Sequence, residues 1–254
     1  TGYSGEDWRH AGFWNRILWR EDRERFRQAL SQICTGKTIP APELRVQVRS
    51  GSVRWLRLLC TLDETDAERP RLRGLLVDIS ADKQAEQQAG FAAEHDVLTG
   101  LFNRARFEQE LDRAVQYARR YKRGGALLYL DLDQFKYIND ASGHAVGDSL
   151  LKTVALTLLR TIRSTDTVSR LGGDEFAVLA TDSTAADLRK ALSRLDAAVE
   201  RQNIADNRGY DLRYSVGAVD FDPAQHPDID ALTAAADALM YAQKQAKHSV
   251  ARTG

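Results

Sequence analysis

The chain has 254 residues, 43% of them hydrophobic, and its 36 basic side chains balance 36 acidic ones. This size allows one large domain or two ordinary ones with a real core. Zero net charge argues against a protein that coats nucleic acid, which would be strongly basic, so no nucleic-acid partner is expected.

Cys34 and Cys60 have no CxxC spacing and no companion histidine cluster. A disulfide framework or a zinc site is therefore not expected, and a reducing compartment, the cytoplasm, fits. No stretch reaches the roughly 20 apolar residues that a bilayer span needs, and no signal peptide is visible. No membrane contact is expected within this fragment. The chain opens on Thr1, so an upstream segment is expected to be missing. A membrane segment in that part of the parent protein would not conflict with the reading.

From Asp22 to Ile33, the apolar positions Phe26, Leu30 and Ile33 follow helical spacing. In "ELRVQVRS", Leu44, Val46 and Val48 alternate with polar residues, as in a half-buried strand. Ser50-Gly51-Ser52 signals a turn. "VRWLRLLC" and "RLRGLLVDIS" read as further strands, joined by an acidic, Pro-containing loop over 63–70. Three sequential strands predict an antiparallel meander with one helical flank. Residues 81–96 are polar and alanine-rich, with Ala81, Ala85, Ala89 and Ala92 at helical spacing. A solvated linker helix and a short two-stranded coil stand level here.

The remainder alternates. Asn103 is a candidate N-cap for a helix with Phe107, Leu111, Ala114, Ala118 and Tyr121 on one face, ended by Gly124-Gly125. "ALLYLDLD" is a strand, and a helix runs from about Val146 to Arg163. "DTVSRL" and "EFAVLA" are strands joined through Gly172-Gly173, a two-residue hairpin signal. A helix with Leu188, Leu192, Leu195 and Val199 follows, then the strand "YDLRYSVGAVD" and a helix from about Ile229 to Lys247. The order β-α-β-β-α-β matches a ferredoxin-like split unit, an α+β arrangement.

The period of two puts Asp131 and Asp133 on one face of their strand with Tyr129, opposite Leu128, Leu130 and Leu132. In a split unit the first strand and the hairpin share a sheet, so Asp131 comes near Asp174. Carboxylates brought together repel and need a cation to stay ionised. Such hard oxygen donors suit Mg²⁺, which keeps substrate phosphates in its shell. An acid beside a Gly-Gly turn is, taken alone, a solvated hairpin. With "DLD" and "FKYIND" upstream, the pattern points to metal held over a phosphate chain.

"RLGGDEF" resembles the signature of the GGDEF domains, the diguanylate cyclases. "DVLTGLFNR", "DLDQFKYINDASGHAVGDSLL", "YSVGAV" and "ADALMYAQK" resemble that family's other motifs in order, over about residues 94–250. The resemblance implies a nucleotidyl-cyclase palm over 96–254. It would join two GTP into cyclic di-GMP with release of pyrophosphate, each subunit of a homodimer presenting one GTP. It implies Mg²⁺ or Mn²⁺ on Asp131, the backbone of Leu132 and Asp174, and a base that is, or is positioned by, Asp174 or Glu175. Asn139 and Asp148 would read guanine, with His144 beside the nucleotide. Lys136, Lys244 and the backbone of Gln134 and Phe135 would meet phosphates. "RSTD" resembles the family's inhibitory motif, implying a product site at Arg163 and Asp166. One departure stands out: where the family usually has Gly-Arg-Asn, this chain has Lys247-His248-Ser249. That motivates an alternative, a weak or inactive GGDEF module that binds GTP or cyclic di-GMP as a sensor.

"WREDRERFRQAL", the strands "LRVQVRSGSVRWLRL" and "GLLVDISADKQAE" resemble a PAS domain lacking its first strand. This implies a sensor over 1–80, of unidentified ligand, and a helical signalling linker over 81–95.

Overall fold

The computed structural model describes residues 1–10, 12–63, 71–206, 211–221 and 228–251. Most of the loop expected over 63–70 lies outside them. The chain divides into two compact units, Thr1–Ala89 and Gly90–Gly254.

In the first unit, helices α1 (Phe13–Ile17) and α2 (Asp22–Cys34) precede strands β1 (Glu43–Gln47), β2 (Val53–Asp63) and β3 (Arg71–Asp78). The strands form an antiparallel meander in the order β1-β2-β3. Leu44, Val46 and Val48, whose alternation was read from the sequence, share one face with Leu56 and Leu58 and pack with Phe13, Ile17 and Phe26. Asp22, the first residue of α2, is 1% exposed and accepts hydrogen bonds from Arg45 N and Nε, both at 2.9 Å. That pair ties the helix to β1. Helix α3 (Ser80–Glu94) buries none of its residues.

The second unit runs α4 (Arg104–Tyr121), β4 (Gly125–Asp133), α5 (Phe135–Ser142), α6 (His144–Thr161), β5 (Thr167–Gly172), β6 (Glu175–Thr181), α7 (Ala185–Asp206), β7 (Arg213–Phe221) and α8 (Ile229–Ala251). The sheet order is β5-β6-β4-β7, with every neighbouring pair antiparallel. Strand β4 is central and almost wholly buried. Leu128, Leu130 and Leu132 pack against α5, α6 and α7, while Leu127 faces α4 and α8.

Helix α1 was not expected, Tyr121 is exposed and not on the packed face of α4, and three further differences lie near the β5–β6 turn and the helices after β4. Helix α5 was not expected, because within its eight residues only Phe135 and Ile138 are buried. That single i,i+3 pair is too short a stripe to read as periodic. Helix α6 begins at His144, two residues before the predicted start. The hairpin's central residues are Gly173 and Asp174, not Gly172 and Gly173, because Gly172 pairs with Glu175 across a register shift. Gly173 takes the left-handed conformation (φ 49°) that the turn requires, and Asp174 therefore stands at the tip.

Candidate active site

Asp131 lies opposite both Glu175 on β6 and Ser215 on β7. It is 7% exposed, and Lys244 of α8 donates to its Oδ1 at 2.6 Å. Asp133, also buried, accepts from Ser215 Oγ at 2.7 Å and from Lys247 Nζ at 3.3 Å. Lys247 donates as well to the carbonyl of Tyr214. Lys244 and Lys247 are three apart on α8, so each meets one aspartate of "DLD". The turn is pinned to the same strand end: Leu132 N donates to the Asp174 carbonyl at 3.2 Å.

Electrostatics follow from this packing. Burial pushes the Asp174 carboxyl above the usual carboxylate range, and the charge of Asp131 pushes the same way. Burial works against the Lys244 ammonium, but its hydrogen bond to Asp131 and the charges of Asp131, Asp174 and Asp133 raise its pKa overall. Two carboxylates of like charge thus face a place already taken by one cation, Lys244 Nζ. That donor set fits Mg²⁺, which commonly uses one or two carboxylates and leaves the rest of its shell to water and phosphate. Among the described residues no group of three metal-ligating side chains is gathered.

Glu175 points elsewhere. Its Oε2 is 3.3 Å from Arg104 Nη2, and Arg104 Nε donates to the Leu171 carbonyl at 3.1 Å. Both side chains line a cleft of about 620 Å³ with Tyr129 and Asp237.

The residues implied for nucleotide binding sit on α5 and α6. Gln134 caps α5 in the left-handed conformation (φ 58°). Phe135 is buried, and Lys136 is exposed beside it. Asn139 Oδ1 is buried with no hydrogen-bond partner. A Cβ at Gly147 would overlap that oxygen, so any larger residue there would have to push the Asn139 side chain aside. An orphaned amide oxygen carries a desolvation cost that a donor from a ligand would relieve. Asp148, next to Gly147, and His144, at the start of α6, are exposed.

Arg163 and Asp166 line a separate pocket of about 370 Å³. Burial raises the Asp166 carboxyl, with the charge of Arg163 opposing. The sequence reading missed two cations that join them, Lys190 and Arg194 of α7. Their signal was the spacing of four, which puts both on one helical face.

It also missed the work of "DVLTGLFNR". Asp96 accepts from Thr99 N and Oγ1 at 2.9 and 2.6 Å. Both its oxygens lie 3.0 Å from Arg170 Nη1. Arg170 in turn donates to the Gly173 carbonyl through Nε and Nη2, at 3.0 and 2.7 Å. One guanidinium thus holds the unit's first loop and the β5–β6 turn together. The side chains of His248 and Ser249, from the departing stretch, lie outside the described residues.

The family model described as "Diguanylate cyclase, GGDEF domain" matches residues 93–249. The chain is 35% identical over 171 residues to "Probable diguanylate cyclase DgcE" of Escherichia coli, covering 67% of this chain and 15% of that protein. It is 38% identical over 161 residues to diguanylate cyclase TpbB of Pseudomonas aeruginosa, covering 62% of this chain and 37% of that protein. The chain thus spans well under half the length of either relative. The crystal structure of the coiled coil and GGDEF domain of DgcB from Caulobacter crescentus, in complex with c-di-GMP, superposes with a TM-score of 0.59 at 27% identity. That match covers 66% of this chain and 89% of the other. The family model covers more than half of the chain, and the chain belongs to the GGDEF diguanylate cyclase family.

Proposed function

We propose that this chain is a diguanylate cyclase that condenses two GTP into cyclic di-GMP and pyrophosphate, working as a homodimer with one GTP on each subunit. The observation that carries the reading is the buried Asp131 beside Asp174, with Lys244 as their only described cationic partner within hydrogen-bond reach. Asp131, Asp174 and the backbone of Leu132 would hold Mg²⁺ or Mn²⁺. When bound, the metal supplies charge neutralisation to the attacking 3′-oxygen and the leaving pyrophosphate. Asn139 and Asp148 would orient guanine, and the unpartnered Asn139 Oδ1 supports this. Lys136, with the backbone of Gln134 and Phe135, would meet phosphates. Asp174 or Glu175 would take the 3′-hydroxyl proton.

The pocket at Arg163 and Asp166 supports a product site, with Lys190 and Arg194 adding positive charge for phosphates. The three-stranded sheet with α2 packed on it supports a PAS-like sensor over 1–80, passing its signal through the helix over 81–95.

The reading is tested by cyclic di-GMP formation from GTP and Mg²⁺, comparing the native chain with Asp174→Asn. Product from the native chain alone is expected. One observation favours a second reading, a nucleotide-sensing module without turnover. Lys247, the candidate substitute for the family's arginine one residue on, stands where the family has glycine, and its ammonium is engaged by Asp133 and the Tyr214 carbonyl, which supports a weakened phosphate contact. Tight GTP binding with no pyrophosphate released by the native chain would select that reading.

A further inference from the structure

Glu175 and Asp131 are directly opposed on neighbouring strands, so their side chains leave the sheet on the same face, with Cβ atoms about 5 Å apart. The Glu175 carboxylate nevertheless lies in the α4–α8 cleft, on Arg104. Arg104 is the first residue of α4, and Asn103 before it is bonded in every direction. Its N donates to the Glu94 carbonyl at 2.9 Å, and its Nδ2 to the Ala92 and Ala93 carbonyls, both at 3.0 Å. Its Oδ1 accepts from Arg106 N at 3.0 Å. The last turn of α3 therefore fixes where α4 starts, and with it the reach of Arg104.

We propose that Arg104 is a positioning residue for Glu175, holding its carboxylate over the cleft and off the Asp131–Asp174 edge, with a grip set by the end of α3 through Asn103. Release of that grip gives the metal edge a third carboxylate, and displacement of the last turn of α3 is what changes it. The inference rests on reading Asp131 and Asp174 as a divalent-metal site.

The size of the effect is bounded. Arg104 and Glu175 side chains are 55% and 45% exposed, and an ion pair so exposed contributes about 0.2–1 kcal/mol, up to roughly fivefold in an equilibrium. The test uses Mn²⁺ alone, without nucleotide, titrated calorimetrically into the full chain. Arg104→Ala is expected to tighten Mn²⁺ binding about two- to fivefold, and Asn103→Ala to tighten it less. In the Glu175→Gln background, Arg104→Ala is expected to change nothing. Arg104→Lys keeps the charge but cannot reach both Leu171 and Glu175, so it should tighten binding partway. It also serves if the alanine variant folds poorly, which thermal unfolding would reveal. Equal tightening in both backgrounds would mean that Arg104 acts only as a nearby positive charge, and would overturn the proposal. Mn²⁺ binding by Asp174→Asn equal to the native chain's would instead overturn the metal-site reading beneath it.

Discussion

Asp174 is held in a place that resists its own charge. Its carboxyl titrates above the unfolded value of 3.8. Between that value and the raised one, the folded state binds more protons than the unfolded state, so stability falls as pH rises through this window. Asp174→Asn removes the effect. In EDTA at neutral pH it should therefore melt higher than the native chain. Denaturation curves against pH, with and without Mg²⁺, check this. Gly147 makes the opposite prediction. Gly147→Ala forces the methyl into Asn139 Oδ1 and against Phe135. It should cost about 1–3 kcal/mol of stability and weaken GTP binding at least tenfold, read by titration with a non-hydrolysable GTP analogue. The carboxylates of this site were legible in the sequence because "DLD" on a period of two and an acid at a Gly-Gly turn leave few arrangements. Arg104 and Arg170 were not. Their partners lie 71 and 74 residues away, and nothing in local spacing reports so distant a pairing.

At the level of elements, two anchors use the same chemistry in the two units. In the first, the buried Asp22 carboxylate takes Arg45 Nε and backbone N, and Arg25 as well. Burial alone would raise this carboxyl, but these bonds outweigh it and bring the pKa down to about 2. Their contribution is complete above 3.8 and disappears as pH falls through about 2. Arg45→Met removes the guanidinium but leaves the backbone N–H at position 45 and Arg25 on the carboxylate, so it should cost about 1.5–3 kcal/mol, seen as an earlier unfolding transition at pH 7 whose gap to native narrows on acidification. In the second unit, Asp96→Asn loosens the grip of Arg170 on the turn. It should cost about 2–3 kcal/mol and reduce turnover more than GTP affinity, since the guanine side of the site is untouched. The strands and long helices were readable from alternation and stripes of leucine. Helix α5 was not, because tertiary contact by Phe135 and Ile138, not repetition, makes it a helix.

For the whole molecule, output is expected to be limited by its own product. The Arg163, Asp166, Lys190 and Arg194 pocket is lined by none of Asp131, Asp174, Asn139 and Asp148. Arg194→Ala should therefore leave initial cyclic di-GMP synthesis within twofold of native while raising the product concentration needed for half-inhibition at least tenfold. Progress curves started with and without added cyclic di-GMP measure both. Equal inhibition of variant and native chain would remove Arg194 from the site.

The lock of Asp96, Thr99, Arg170 and Gly173 has a consequence for how such chains are assembled. Every atom of it belongs to the unit that starts at Gly90. The scaffold that shapes the β5–β6 turn thus travels with the turn itself. A gene fusion that joins a foreign module ahead of Gly90 inherits this hairpin already locked in place.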